Sequence, residues 1–193
     1  MQQTLVSETV TLVLLFLLLL ATLSDVTRHI IPNLLNLMIL ICGVAFQLEM
    51  IGLSGLMTAF SGLVVGFLIF IPFYIAGGMA AGDVKMMAAA ATLLGPLSAF
   101  QAAGLSLIAG MFLALLVVLF KGSLLALLKR YFLIFKTLFF TRKLIYIQPQ
   151  EGEAAALRFP YALAITTGTV LALAHQSQLG FYHLRELLTG GAL

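Results

Sequence analysis

Two residues of this 193-residue chain could do acid–base chemistry on an apolar background: Asp25 and Asp83, its only aspartates. Brought close, two carboxyls cannot both ionise cheaply and hold one proton between them. The ionised member can then take a proton from water while the other donates to a carbonyl oxygen, which is the chemistry of peptide hydrolysis. Each also has a purely structural reading. Asp25 could cap the turn into Arg28, and Asp83 stands where an N-cap would, ahead of Val84-Lys85-Met86-Met87 and a run of alanines. The five glutamates, Glu8, Glu49, Glu151, Glu153 and Glu186, fall in stretches that read as aqueous connections or tails, where solvated charge is the ordinary role.

The elements that must position the aspartates are dictated by composition. Hydrophobic residues make up 62% of the chain and charged residues 9%, against roughly 45–50% and about 25% in ordinary soluble domains. A soluble enzyme, a disordered chain and a nucleic-acid binder are excluded; the net charge of +3 reads as membrane topology, with lipids as the surrounding partner. The single cysteine, Cys42, excludes a disulfide framework and a multi-cysteine zinc site. His29, His175 and His183 are scattered and suggest interface positions, so no metal and no cofactor is expected.

A helix needs about 20 mostly apolar residues to span the hydrocarbon core. The fold class expected is all-α: a polytopic membrane protein with about six transmembrane helices, residues 7–23, 32–50, 55–75, 84–95, 97–120 and 160–179, forming one membrane-embedded domain over residues 1–193. Pro32 reads as a first helical position. With the N-terminus outside, Arg28, Lys85, Lys121, Lys129, Arg130, Lys136, Arg142, Lys143 and Arg158 fall on the cytoplasmic side and Arg185 outside. That split obeys the positive-inside rule and puts both termini outside. Residues 121–147 carry Lys129, Lys136 and Lys143 at seven-residue spacing, which suits an amphipathic interfacial helix on the cytoplasmic side. Those lysines serve topology and lipid anchoring or form a docking face for a cytoplasmic partner.

In this arrangement both aspartates fall at the cytoplasmic face. The run Val84–Gly95 covers only roughly 18 Å of a core about 30 Å thick, so Asp83 is expected at the mouth of a watered cleft. The glycine-rich run 77–82 before it can bend there and let a substrate approach the backbone. Gly62 and Gly66 form a small-xxx-small pair for close helix packing. Asn33 and Asn36 are polar on an apolar helix and could line the cleft or bond to another helix; packing suits Asn36 better. Arg28 could pair with Asp25 or only set topology, and Lys85 could touch substrate or snorkel.

The segment Asp25-Val-Thr-Arg28-His-Ile-Ile-Pro32-Asn33 resembles the first aspartate motif of the type IV prepilin peptidases. Gly77-Gly78-Met79-Ala80-Ala81-Gly82-Asp83-Val84-Lys85 resembles their GxGD signature, and Arg158-Phe159-Pro160-Tyr161 with Gly168 looks like the opening of the last helix in short forms. The resemblance implies an intramembrane-type aspartic endopeptidase of the bacterial inner membrane. Such enzymes cut the basic leader from single-span pilin precursors at the cytoplasmic boundary. Asp25 and Asp83 would be catalytic, with motif support or substrate contact from Gly78, Gly82, Lys85, Arg28, Pro32 and Asn33. Ala80 departs from the signature, standing where its first glycine normally does, and asks the backbone there to avoid strongly positive φ. The long forms of the family carry a cytoplasmic domain with paired cysteines and also methylate the new N-terminus. Here the first connection, residues 24–31, is short and has no cysteine, so proteolysis without N-methylation is expected, as in the short peptidases associated with tight-adherence (Flp-type) pili. Two rivals remain at this point. One is a small cation- or proton-coupled transporter using the aspartates as an ion site; the other is a non-catalytic assembly subunit.

Overall fold

The computed structural model of the chain describes residues 2–121 and 160–188. Five helices follow in order: α1 (Gln2–Arg28), α2 (Asn33–Ile51), α3 (Leu53–Ile75), α4 (Ala81–Lys121) and α5 (Ala162–Leu188). No strand occurs among the described residues. The all-α class therefore holds. The chain divides into two compact units, one of Met1–Gly110 with Pro160–Leu193 and the other of Met111–Phe159. In the second unit the description covers residues 111–121, the closing turns of α4. The interfacial segment 121–147 and the loop carrying Arg158 fall outside the described residues.

Among the described residues four helices are long and apolar enough to cross a membrane: Thr9–Arg28, Asn33–Ile51, Leu53–Ile75 and Ala81–Leu116, with Ala162–His175 a shorter apolar helix. This corrects the six spans read from the sequence. The expected spans 84–95 and 97–120 are the two arms of α4, bent at Gly95 (φ 72°, ψ 173°) ahead of Pro96. Glycine enters that left-handed region at no Cβ cost, and proline supplies no N–H to the turn before it. The bend frees carbonyls, and the buried Gln47 side chain donates to one of them, Leu93 O, at 2.7 Å. A buried polar residue on an apolar helix thus serves the broken ladder of its neighbour.

Each helix buries a stripe. On α1 it is Leu14, Leu17, Leu18, Ala21, Thr22 and Asp25, the i, i+3, i+4 spacing of one helical face. Asp25 is the last residue of that stripe, so the apolar pattern that packs α1 also carries its carboxyl inward. The first arm of α4 is enclosed: Val84 and Met86 through Leu94 are all buried. Its alanines admit close neighbours. A Cβ on Gly62 of α3 would collide with the Ala91 carbonyl, one on Gly66 would lie 2.8 Å from the Ala91 Cβ, and one on Gly43 of α2 would strike the Thr92 side chain. The small-residue pair of α3 therefore packs against α4 as its spacing predicts. Gly168 brings α5 equally close to Ser106 and Ala102 on the second arm of α4. Outward-facing residues such as Leu12, Phe16, Met57, Phe60 and Phe100 remain exposed, as a lipid-facing surface requires.

Candidate active site

Both aspartates are buried, Asp25 at 7% and Asp83 at 5% exposure, at the end of the bundle where α1 and α3 finish and α2, α4 and α5 begin. Two helix terminations shape this end. Helix α1 closes with His29 in the left-handed region (φ 52°), its N–H donating to Asp25 O at 2.8 Å. That is an αL cap built on a non-glycine residue. Ser24 Oγ then donates to Ile30 O at 2.8 Å and ties the turn down. Helix α3 ends in a Schellman motif: Gly77 takes φ 76°, its N–H donates to Tyr74 O at 2.9 Å, and the Gly78 N–H donates to Phe73 O at 2.8 Å. The first two glycines of the motif thus end one helix.

The rest of the glycine-rich run differs from expectation. The connection is residues 76–80, and Gly82 already belongs to α4, with its open side against Ile31. Asp83 is not the N-cap of α4 but its third residue. Its Oδ2 reaches back to accept the Ala80 N–H at 3.0 Å, the return bond of a capping box with aspartate in place of glutamate. Among the described residues His29 alone of the non-glycines has positive φ, so Ala80 meets the restriction its Cβ imposes.

Asp25 is held differently, by a residue 137 positions along the chain: its Oδ2 accepts the Ala162 N–H of α5 at 3.0 Å. Each carboxyl therefore gives one oxygen to a backbone amide at a helix N-terminus, where the dipole favours negative charge.

The other expected site residues gather around this pair. Asn33 opens α2, with Pro32 (φ −59°, ψ 132°) at the N-cap; this shifts Pro32 one place from the first helical position read from sequence. Lys85 Nζ donates to Asn33 Oδ1 at 3.1 Å, across the exposed mouth. Arg28 is exposed, and no ion pair joins it to Asp25 among the described residues. Two further residues matter. Asn36 is 6% exposed, its Nδ2 donates to Gly82 O at 3.5 Å, and its Oδ1 is buried without a partner. The sequence favours packing for Asn36; the structure instead gives it a bond from α2 to the α4 backbone. Tyr161, half-buried, has its ring edge-on to Phe70 at 6.0 Å. Its signal in the sequence was the Pro-Tyr pair before an apolar run, which carried no hint that the next amide reaches Asp25.

Two buried carboxyls are groups of the kind that general acid–base chemistry uses. The type IV leader peptidase family matches residues 12–129, a stretch that includes both aspartates. The chain belongs to that family. No curated protein and no solved structure matched it.

Proposed function

We propose that this protein is a prepilin leader peptidase, an aspartic endopeptidase that removes the basic leader of a single-span pilin precursor. The observation that carries the reading is that Asp25 of α1 and Asp83 of α4 are both buried at one end of the bundle, with one oxygen of each tied to a helix-end amide. The tethers fix the carboxyls and leave the second oxygen of each to reacting groups. One carboxylate takes a proton from a water whose oxygen attacks the scissile carbonyl carbon. The other carboxyl gives its proton to the carbonyl oxygen, forming a neutral gem-diol. Collapse of the diol breaks the C–N bond: a diol hydroxyl returns its proton to the second carboxylate as the C=O re-forms, and the leaving nitrogen takes the proton gained by the first carboxyl.

The dyad end faces the cytoplasm of the bacterial inner membrane, and both termini lie outside. Arg28 and Lys85 stand at that end, while the far end of α2 carries Glu49, in keeping with the positive-inside rule. The reaction stops at proteolysis without N-methylation. The link between α1 and α2 is only residues 29–32, shorter than the sequence suggested and without room for the cytoplasmic domain of the methylating forms. Pilus assembly of the Flp type is the process such an enzyme would serve. Purified protein in detergent should cut a pilin precursor after its leader, and mass spectrometry of the product should find an unmodified N-terminal amine even with a methyl donor present. A methylated product would contradict the restricted activity.

A further inference from the structure

We infer that Tyr161 is a positioning residue for Asp25, holding the amide on which that carboxyl rests; the inference builds on the peptidase reading. The anchor of Asp25 is the first N–H of α5, and a helix terminus fixes a partner only as well as the terminus itself is fixed. Tyr161 immediately precedes it. Its carbonyl accepts the Ile165 N–H at 3.1 Å and so starts the α5 ladder. Its hydroxyl donates to Ser106 O on α4 at 3.3 Å. Its ring meets Phe70 of α3 edge-on at 6.0 Å and 77°, an arrangement the aromatic quadrupole favours. Its far edge lies against Gly110, where a Cβ would collide with the Cζ and hydroxyl. One side chain thus braces α3 and α4 while its backbone opens α5, whose next amide holds α1.

A tyrosine that merely fills space would be replaceable by a smaller apolar residue at a cost in stability alone. A brace on the anchor of Asp25 makes a different prediction, because misplacing a reacting group by about 1 Å slows the chemical step by as much as 100-fold without touching substrate binding. Tyr161→Leu and Tyr161→Ala should lower kcat at least tenfold with KM within twofold of the parent. Tyr161→Phe, which keeps the ring against Phe70 and Gly110, should stay within threefold in kcat. Gly110→Ala, by forcing the ring aside, should lower kcat as well. Combining Gly110→Ala with Tyr161→Leu should cost no more than Tyr161→Leu alone, since no ring is left to displace; contacting residues are non-additive in this way.

The experiment is steady-state cleavage of a pilin precursor by the parent and the five variants, each purified in detergent, with thermal unfolding measured on each. The parent must cut first; if it cuts nothing, the peptidase reading fails and this inference with it. If the parent cuts and Tyr161→Leu matches it in kcat, Tyr161 is only packing. The inference is equally overturned if the loss appears in KM, or if the Gly110→Ala and Tyr161→Leu losses add. Should Tyr161→Ala not fold, Tyr161→Leu and Gly110→Ala carry the same decision.

Discussion

At the scale of single residues, the site is defined by where each polar atom finds a partner. Asp25 and Asp83 each rest on a backbone amide, and neither carboxyl is ion-paired among the described residues. Asn36 is the contrasting case, with a long 3.5 Å bond from its Nδ2 and a buried Oδ1 that has none. A buried unpaired polar group costs about 1–3 kcal/mol, and an apolar replacement of similar shape removes that cost. Asn36→Leu should therefore raise the unfolding midpoint in detergent, by roughly 2–4 °C per kcal/mol regained in a chain of this length. A lowered midpoint would mean that the bond to Gly82 O outweighs the unpaired oxygen. His29 stands at the other kind of expense. Its positive φ sits four residues from Asp25 and is held by the bond to the Asp25 carbonyl; backbone strain of this sort persists only where the surroundings over-determine it.

At the scale of elements, small residues decide how near the helices come and where they turn. The left-handed Gly77 closes α3, so Gly77→Ala should cost about 1–2 kcal/mol in stability and loosen the connection that delivers Asp83. Gly62→Ala should be worse tolerated than an average substitution, because the new methyl meets the backbone carbonyl of Ala91 rather than a side chain able to rotate. Overpacking of this kind costs typically about 1–3 kcal/mol. Thermal melts of the two variants check both statements, and an unchanged melt for Gly62→Ala would deny the close α3–α4 approach. These same elements show what the sequence made legible. The helical stripe ending at Asp25, the Gly62–Gly66 pair and the two aspartate motifs could be read because periodicity and glycine spacing are local signals. The anchoring of Asp25 by Ala162 could not, since nothing local marks a hydrogen bond closed across 137 residues. The break at Gly95-Pro96 is visible in the sequence as punctuation, and the structure turns α4 there, at Gly95. Gln47, four turns from the end of the bundle that holds the aspartates, supplies the donor that lets the α4 backbone bend while buried.

At the scale of the whole molecule, a bundle of apolar helices gathers its chemistry at one end. Asp25, Asp83, Lys85, Asn33 and the start of α5 all lie there, and the lipid-facing flanks carry residues such as Met57, Phe60 and Leu68. The orientation can be tested directly. In a Cys42→Ala background, Lys85→Cys should react with a membrane-impermeant maleimide in inside-out vesicles and not in right-side-out ones; the opposite pattern would put the site on the wrong face for a cytoplasmic leader. The most direct test of the central claim compares the parent with Asp25→Asn and Asp83→Asn, each shown to unfold cooperatively near the parent's midpoint, on a purified pilin precursor. Cleavage by the parent and a loss of at least 1,000-fold in both variants is the predicted result. Undiminished cleavage by either variant would contradict the dyad and return the carboxyls to a structural role.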